Sequence, residues 1–422
     1  MTDISHNAPD RKSVDEIAHL ALVVGRLLLQ NGTDTAQVEA SVTRFARGFG
    51  CEAQLLVNYE ALLLTAVTGE NFRTKVGRRI RAMNVNIATI SAVNQIVDEA
   101  AGGCLEIASA RARLEAVEKA PPVWNRWLVV FAMGLCAASL SILFLGDWPT
   151  FWIVWLAGSV GTWLRQELGR RGMNLFFIAF AGALVSGIIG GIAVHLGWSG
   201  TPALCLIAPG MIIVPGVPLV NGVQDMFKNH MMLGLSRLGL GVLVTLAIAL
   251  GLFVATLATG VEIPVEDPFR VLSVPLDMLF SALAALGFLL LFNVPGRIAW
   301  ACIVCGVVSH TGRTLCLHLG AGLLGATLIG ALAVGFLAQG FARHFRVPAV
   351  AFAFPGVVAM IPGAFAFRAF IGSLHIAHAG ASATPALVAE TFALVVTCVL
   401  MVAAIAIGIA APVVLMKERA IK

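Results

Sequence analysis

Seven ionisable residues lie within or at the ends of strongly apolar stretches of the chain. An ionisable group at membrane depth is costly to bury, and where one occurs it usually serves a substrate, an ion or a proton. Each of these residues is therefore a candidate for binding a charged solute or for carrying a proton. They are Asp225, Arg237, Asp277, His310, Arg313, Arg368 and Glu390.

Asp225 and Arg237 lie twelve residues apart, on either side of a turn between two apolar stretches. This spacing allows the carboxylate and the guanidinium to pair across the hairpin. Two interpretations stay open: the pair belongs to a substrate site, or it is an interfacial salt bridge that fixes the hairpin. Asp225 and Glu390 are also candidates for proton coupling. Glu390 lies about one turn into the last apolar stretch, where an interfacial position is the alternative.

Two apolar segments are interrupted repeatedly by proline and glycine. Residues 208–227 (APGMIIVPGVPLVNGVQDMF) and 354–370 (FPGVVAMIPGAFAFRAF) each contain two Pro-Gly pairs. Proline removes a backbone donor and clashes with the preceding turn, so neither segment is expected to form an unbroken helix. Such paired interruptions in corresponding halves of a membrane protein indicate the substrate site of a transporter. The predicted substrate-binding residues are Pro209, Gly210, Pro215, Gly216, Asn221, Asp225, Arg237, Pro355, Gly356, Pro362, Gly363 and Arg368.

The charges at the polar ends of these two segments differ in sign, because Asp225 lies near the end of the first and Arg368 near the end of the second. One acid and one base in related positions suit a substrate that carries both an ammonium and a carboxylate. Half-helix N-termini and the carbonyls freed at the prolines could bind the same two groups. A site with excess positive charge, from Arg237, Arg313 and Arg368, would instead suit an organic acid.

No constellation for enzymatic chemistry is visible in the sequence. It contains no HExxH, GxSxG or P-loop motif, so metalloprotease, serine-hydrolase and ATP-driven mechanisms lack their parts. Histidines near the predicted ends of spans, His310 among them, are expected to be solvated. We therefore predict that the protein is not an enzyme and has no catalytic residue, cofactor or metal ligand. A membrane-embedded enzyme and a scaffold or sensor are the alternatives from other functional classes.

Composition divides the chain into two parts. Hydrophobic residues make up 59% and charged residues 12% of the 422 residues, whereas soluble domains carry roughly 25% charged residues. Most of the charge falls in the first ~125 residues, which predicts a small soluble N-terminal domain followed by a membrane domain. The net charge of +5 needs no nucleic-acid partner, because basic residues gather at the cytoplasmic ends of membrane helices. The lipid bilayer is the expected partner.

The N-terminal domain, residues 1–122, reads as a small α/β unit. Helical periodicity predicts helices over 13–29, 35–48, 86–100 and 109–119. Residues 51–67 predict two short strands around Asn58-Tyr59-Glu60. Residues 73–81 are interpreted as a basic connector. The role of this domain stays open between gating the cytoplasmic mouth and docking subunits, so a homo-oligomer stays open as a partner.

The remaining chain predicts an α-helical polytopic membrane protein of about ten transmembrane helices. The two predicted five-helix repeats occupy residues 123–259 and 276–422, and an extracytoplasmic linker occupies 260–275. A repeat with an odd number of spans must re-enter from the opposite side, so the two repeats are inverted. The predicted spans are 127–145, 151–164, 175–196, 203–223, 232–257, 276–292, 298–309, 317–339, 350–371 and 386–415.

The distribution of basic residues predicts the orientation of the chain. With the N-terminus inside, every predicted cytoplasmic loop and the C-terminal tail is basic, as the positive-inside rule requires. The outside loop over residues 261–270 is acidic on balance. Arg313 is the exception, because it falls in a predicted outside loop unless it faces a cavity. The protein is therefore expected in a bacterial inner membrane, multi-pass, with both termini cytoplasmic.

Four stretches of the chain resemble the threonine/serine exporter (ThrE-type) family. In the N-terminal domain they are LLLQNGTDTAQVEASVTRFARGFGC and MNVNIATISAVNQIVDEAAGG. In the membrane domain they are PGVPLVNGVQDMFKNHMMLGLSRLGLG and ARHFRVPAVAFAFPGVVAMIPGAFAFRAF. The last resembles the family's second module, which some relatives encode as a separate chain, so both modules are fused here.

The resemblance implies an inner-membrane secondary exporter of small amino acids such as threonine and serine, driven by the proton gradient. Its partners would then be the small-molecule substrate and protons. Two-chain relatives are associated with dicarboxylate export, so succinate is the alternative substrate. The family-like residues in this sequence are Pro215, Gly216, Asn221, Asp225, Arg237, Pro355, Gly356, Pro362 and Gly363.

Overall fold

A computed structural model describes residues 11–68, 71–77, 84–261 and 271–418. The predicted acidic loop, the ends of the basic connector and of the basic tail, and the first ten residues lie wholly or partly outside this range. The chain divides into two compact units. Unit 1 comprises the chain up to Val123 together with Gln224–Arg237, and unit 2 comprises Trp124–Val223 and the chain from Leu238 onwards.

Unit 1 contains four helices and a three-stranded antiparallel sheet of strand order β1-β2-β3. The side chains of Asp34 and Asn86 accept hydrogen bonds from Gln37 and Thr89 at the N-termini of the second and third helices. Apolar side chains on the inner helix faces and on β2 form the core. The elements are α1 (Arg11–Gln30), α2 (Thr35–Gly48), β1 (Glu52–Val57), β2 (Leu62–Thr68), β3 (Asn71–Val76), α3 (Ile87–Ala101) and α4 (Ile107–Lys119).

The four predicted helices and the β1-β2 hairpin are confirmed, but the interpretation of residues 73–81 as a basic connector is wrong at its start. Residues 71–76 form β3, which pairs with β2 so that Lys75 lies opposite Leu64. The basic side chains of this edge strand are held by α1. Arg73 Nη1 lies 2.8 Å from Asp15 Oδ1, and Lys75 Nζ donates to the Asp15 carbonyl at 2.7 Å.

Unit 2 is helical, and the helices Gly216–Phe227 and Met231–Thr259 have residues in both units. In the second half, a 3₁₀ turn at Val358–Met360 lies between the helices Val350–Val357 and Gly363–Ala379. The helices are α5 (Arg126–Leu143), α6 (Trp148–Arg170), α7 (Leu175–His195), α8 (Pro202–Met211), α9 (Gly216–Phe227), α10 (Met231–Thr259), α11 (Val274–Leu291), α12 (Gly296–His318), α13 (Leu323–Phe345), α14 (Val350–Val357), α15 (Gly363–Ala379) and α16 (Pro385–Glu418).

Of the helices described, seven are long and apolar enough to cross a membrane, and two bent pairs could each add one span. The seven are α5, α7, α10, α11, α12, α13 and α16. The bent pairs are α8-α9, with an angle of 59°, and α14-α15, with an angle of 46°. The chain is thus a polytopic membrane protein with seven to nine candidate spans. The one predicted span not accounted for, 151–164, corresponds to α6, which is 23 residues long but too polar to count by composition.

Three predicted span boundaries are wrong. The second and seventh spans were expected to be short, yet α6 and α12 each contain 23 residues. The sequence predicts that the seventh span ends near Ser309, but α12 continues through His310 and Arg313 to His318. Arg313 therefore lies within a helix rather than in an outside loop, and α13 begins at Leu323, six residues after the predicted start.

Candidate functional site

The two helix breaks pack against each other through equivalent residues. A Cβ on Gly216, at the start of α9, would overlap the side chain of Ile361. A Cβ on Gly363, at the start of α15, would lie 3.2 Å from Val214 Cγ2. Val214 and Ile361 each precede the proline of their own Pro-Gly pair. The glycine of each break therefore contacts the residue before the proline of the other, in a reciprocal arrangement.

The first Pro-Gly pair of each segment lies within a helix, Pro209 in α8 and Pro355 in α14. Proline deprives the carbonyl four residues earlier of its helical donor. In α14 this is the carbonyl of Ala351, which accepts the Cys302 thiol at 3.3 Å. In α8 it is the carbonyl of Cys205, against which α7 packs so closely that Gly190 has no room for a Cβ. Both carbonyls thus face neighbouring helices.

A cavity of about 480 Å³ in unit 2 borders the second break. Ala364 and Phe365, in the first turn of α15, line it together with the ends of α5, α8, α11 and α12. The positive end of the α15 dipole is therefore beside the cavity. The polar side chains that line it are Thr201, Asp277, His310, Arg313, Thr314 and Arg368.

Asp277, His310 and Arg313 form a buried chain of hydrogen bonds along one wall of the cavity. His310 Nδ1 lies 2.8 Å from Asp277 Oδ2, and His310 Nε2 lies 2.6 Å from Arg313 Nη2. Thr311 and Thr314 donate their hydroxyls to Asp277 at 3.0 and 2.7 Å. Asp277 lies in the first turn of α11, where the helix dipole favours a carboxylate. Its two oxygens are therefore well satisfied within the protein.

Arg313 and Arg368 give the cavity an excess of positive charge over Asp277. Their side chains are 8% and 9% exposed, so little bulk water screens them. Such a pair of guanidinium groups suits carboxylates, which they can bind through parallel N–H groups. Among the residues described, no group of three or more His, Cys, Asp or Glu side chains is placed to hold a metal ion.

Asp225 and Arg237 pair as the sequence predicts, but in a closed site within unit 1 that does not contribute to the cavity. Arg237 Nη1 lies 2.7 Å from Asp225 Oδ2, and its Nη2 donates to the Thr33 carbonyl at 2.9 Å. The Thr35 backbone N–H, at the start of α2, donates to Asp225 Oδ1 at 3.0 Å. The pair is fully buried, so in this structure it joins the α9-α10 turn to the α1-α2 turn.

A lysine–aspartate ion pair and a histidine–glutamate contact lie beside this pair. Lys228 Nζ lies 2.7 Å from Asp34 Oδ1, and His230 Nδ1 lies 3.7 Å from Glu39 Oε1. Burial raises the pKa of the Glu39 carboxyl above its ordinary value, and the nearby Asp225 carboxylate acts in the same direction, while His230 opposes both. We refer to Asp225, Arg237, Lys228, Asp34 and the Thr33–Thr35 backbone as the hairpin clasp.

The structure thus distributes the predicted site residues over three places. Pro215, Gly216, Pro362 and Gly363 lie at the contact between the breaks, and Arg368 lines the cavity. Asn221 is buried in α9, and Glu390 lies partly exposed in the second turn of α16. Of the predicted substrate-binding residues, Arg368 alone lines the cavity described here.

The expectation that His310 is solvated is wrong, since it is 2% exposed and paired on both ring nitrogens. The sequence did contain a signal for this cluster. His310, Arg313 and Thr314 have the spacing of one helix face, and Asp277 begins the preceding helix. Ending the predicted span at Ser309 concealed that face, because it placed these residues in a loop.

Two family models match the chain and together cover most of it. The ThrE model, described as "Putative threonine/serine exporter", matches residues 19–258. The ThrE_2 model, described as "Threonine/Serine exporter, ThrE", matches residues 277–415. The boundary between them falls between α10 and α11.

Individual relatives carry two kinds of name. Proteins of Klebsiella aerogenes and Escherichia coli K12, each named "Probable succinate transporter subunit YjjP", are 29% identical to this chain. The alignments cover 60% and 58% of this chain, and 98% and 96% of those relatives. A "Threonine/serine exporter" of Corynebacterium glutamicum is 21% identical over 87% of this chain and 77% of its own length. No solved structure matches the chain.

Proposed function

Because the chain belongs to the threonine/serine exporter family, we propose that it exports threonine and serine by alternating access around the contact between its two broken helices. The observation that carries the proposal is the reciprocal packing of Gly216 on Ile361 and of Gly363 on Val214, beside a cavity lined by Arg313 and Arg368. Transporters place their substrate sites at such broken helices. The family points to a transporter rather than an enzyme.

The reciprocal contact supports two inverted five-helix repeats. Each half contributes its glycine to one contact and its pre-proline residue to the other. Two contacts of this kind are related by a local two-fold axis. The first helices of the two proposed repeats also pack on each other, since Gly287 of α11 lies against Cys136 of α5. In both halves the first helix contacts the second and the second contacts the third. Rocking of one repeat against the other about this axis would open the cavity to alternate sides.

The proposed orientation, with both termini in the cytoplasm of a bacterial inner membrane, rests on the basic loops and on the composition of unit 1. The α9-α10 turn belongs to that unit with the N-terminal residues. An even number of crossings must therefore separate them, which is satisfied when α5, α6, α7 and the bent pair α8-α9 each cross once. By this topology the cavity residues Thr201, Asp277 and Arg313 lie towards the outer ends of their helices.

Dicarboxylate export is the second candidate function, and a specific observation favours it. The cavity lining holds two arginines, Arg313 and Arg368, against one acidic residue, Asp277. This charge balance suits a solute with more carboxylates than amines. The names of the Klebsiella aerogenes and Escherichia coli relatives agree with it. Threonine would use the same arginines through its single carboxylate.

Counterflow in proteoliposomes tests the proposal and separates the two candidates. Vesicles preloaded with unlabelled threonine, serine or succinate are challenged with the labelled solute. We expect accumulation of threonine and serine label, reduced about tenfold or more by Arg368→Gln, since a hydrogen bond to a charged group contributes about 1.5–3 kcal/mol. The matched control is Arg297→Gln, an exposed arginine at the other end of α12 that does not line the cavity.

The outcomes have distinct meanings. Accumulation of succinate alone, lost in Arg368→Gln, would replace the amino acid by a dicarboxylate. No counterflow of any of the three solutes, in protein that elutes as a folded species, would contradict the exporter proposal. Asp225→Asn is unsuitable as the diagnostic variant, because Asp225 holds the hairpin clasp together and its loss would impair folding as well as transport.

A further inference from the structure

The first three helices of each half of unit 2 repeat at a constant separation along the chain. Helices α5 and α6 begin and end 148 residues before α11 and α12, and α7 begins 148 residues before α13. The close contacts repeat in the same way. Gly158 of α6 has no room for a Cβ against Ala137 of α5, and Gly306 of α12 has none against Ala285 of α11. Each residue of α6 therefore has a counterpart on α12, 148 residues later.

Arg165 of α6 is the counterpart of Arg313, the arginine of α12 that lines the cavity. In both side chains the guanidinium Nε is buried and has no hydrogen-bond partner among the residues described. The second predicted span ends at residue 164, which placed Arg165 in a cytoplasmic loop. The structure places it within α6, which continues to Arg170. An arginine inside a membrane helix usually serves a solute or an ion.

Arg165 belongs to a polar face of α6 that lacks partners within the protein. Thr162, Arg165 and Gln166 have the spacing of one helix face. Thr162 Oγ1, Arg165 Nε and Gln166 Oε1 are all buried, and none has a hydrogen-bond partner in the described part of the chain. Native proteins leave few buried polar groups unpaired, because each one is costly. The counterpart face of α12 lines the cavity, so the face on α6 is suited to a polar ligand as well.

The charge on Arg165 is not neutralised by a neighbouring acid. The position that Asp277 occupies in the second half is held by Val129 in the first. No described carboxylate forms an ion pair with Arg165. Glu167 is the acid of α6, and its oxygens lie within 3.6 Å of nitrogen atoms of Arg126, Arg170 and Arg171. An anion from outside the protein is therefore the partner that the Arg165 guanidinium lacks, and carboxylates suit its paired N–H groups.

We propose that Arg165, together with Thr162 and Gln166, binds the carboxylate of the transported solute at the cytoplasmic end of the pathway. It is the inner counterpart of Arg313, which lies towards the outer end by the proposed topology. This inference rests on the proposed transport function and names a second solute site for it. An exported solute meets Arg165 while the pathway is open to the cytoplasm, and reaches the cavity at Arg313 after the two repeats exchange conformations.

Transport measured at the cytoplasmic face tests the proposal. In inside-out membrane vesicles this face is accessible, so the KM for initial uptake of labelled threonine, serine or succinate reports on it. We expect Arg165→Gln to raise this KM about tenfold or more. Arg165→Lys should restore part of the loss, because it returns the charge without the two-pronged fork. The matched control is Arg170→Gln, an exposed arginine near the same end of α6, which should keep the wild-type KM.

A second variant keeps the test decisive if Arg165→Gln does not fold. Thr162→Cys nearly preserves the size of a side chain that is 2% exposed in this structure. In a Cys104→Ser background, we expect a membrane-impermeant methanethiosulfonate to modify it from the cytoplasmic face. A transported solute at ten times its KM should slow this reaction at least about threefold. The Cys104→Ser chain alone gives the background reaction of the other native cysteines. Modification from the outer face alone, or no protection by a transported solute, would overturn the proposal.

The outcomes separate this inference from the transport function. If the wild-type chain transports none of the three solutes, the transport function is overturned and this inference with it. If it transports one of them, and Arg165→Gln and Arg170→Gln have the same KM at the cytoplasmic face, the transport function stands and Arg165 is not its inner site. A rise in KM that requires anionic lipid in the vesicles would assign Arg165 to a lipid headgroup instead of the solute.

Discussion

Arg237 is the largest side chain that the described structure buries completely, and its charge is compensated by very few groups. Asp225 supplies the opposite charge, and the Thr33 carbonyl accepts a second hydrogen bond. A buried charge is tolerated when it is paired and hydrogen-bonded, and becomes strongly unfavourable when the partner is removed. Removing Asp225 should therefore cost more folding free energy than the ion pair contributes to the folded state.

Asp225→Asn should lower the free energy of unfolding by about 3–5 kcal/mol, because it leaves Arg237 buried without a counter-charge. SDS denaturation of the purified chain measures the change. The matched control is Arg171→Gln, which removes an exposed ion pair in which Arg171 Nε lies 3.5 Å from Glu167 Oε1. This change should lower the free energy of unfolding by less than about 1 kcal/mol. The double variant Asp225→Leu/Arg237→Met should regain most of the free energy of unfolding that Asp225→Asn loses. Equal effects of Asp225→Asn and Arg171→Gln would contradict a structural clasp.

Glu39 gives unit 1 a definite pH dependence. Burial raises the pKa of its carboxyl in the folded chain above the ordinary value of 4.5, so the folded state binds the proton more tightly than the unfolded state. Its contribution to stability is present below pH 4.5 and is lost as the pH rises through the folded-state pKa. Glu39→Gln removes that loss. In thermal melts, the unfolding midpoint of Glu39→Gln minus that of the wild-type chain should therefore increase as the pH rises from about 4.5 to 6.5. A constant or falling difference would contradict a raised pKa of Glu39 in the folded chain.

At the scale of helices, several close contacts have a carbonyl on one side and a glycine on the other. Gly190 of α7 lies against the Cys205 carbonyl of α8, which Pro209 deprives of its helical donor. Gly330 of α13 lies similarly against the Ser309 carbonyl of α12. Backbone atoms cannot rotate away as side chains can, so these positions set how closely the helices approach.

Gly190→Ala should destabilise the chain by about 1–3 kcal/mol, because the new Cβ overlaps the Cys205 carbonyl and forces α7 and α8 apart. The thermal midpoint of the detergent-solubilised protein measures it. Gly340→Ala on α13 is the matched control, since nothing lies within 4 Å of a Cβ there; alanine is the better helix former, so this variant should be neutral or slightly stabilising. Similar midpoints for both variants would show that the α7-α8 contact is looser than described.

Local signals explain which elements could be predicted from the sequence. Amphipathic periodicity and the caps at Asp34 and Asn86 define the N-terminal helices, and prolines mark the breaks at α8-α9 and α14-α15. Apolar periodicity does not mark the end of α12, although His310, Arg313 and Thr314 have the spacing of one helix face. The last turns of α12 are polar by composition. They remain helical because Asp277, 33 residues before His310 in the chain, is the hydrogen-bond partner of their polar side chains. β3 was not predicted for a similar reason. Its basic residues are typical of an exposed connector, and their partner, Asp15, lies far away in the chain.

Long-range contacts account for what the sequence could not predict of the candidate site. The Pro-Gly pairs indicated the two breaks, but not that Gly216 contacts Ile361 and Gly363 contacts Val214. The pairing of Asp225 with Arg237 followed from their separation across one turn. That this pair contacts the α1-α2 turn, about two hundred residues away in the chain, depends on tertiary packing.

At the scale of the molecule, the number of crossings decides the transport mechanism. If both bent pairs span the membrane, the two halves are inverted and can exchange conformations about the contact between the breaks. If α8-α9 instead enters and leaves on one side, the halves lose that relation. The α12-α13 loop distinguishes these topologies, since it follows seven crossings in the first case and six in the second.

Labelling of single cysteines with a membrane-impermeant maleimide tests this count in intact cells. Leu319→Cys, at a 79% exposed position after α12, should be labelled from outside, whereas Met173→Cys, between α6 and α7, should react only after permeabilisation. Cys104, the exposed native cysteine among those described, is replaced by serine in both. Labelling of both sites only after permeabilisation would make α8-α9 a re-entrant hairpin and would end the inverted-repeat mechanism. Labelling of Met173→Cys from outside would instead show that α6, the most polar of the proposed spans, does not cross.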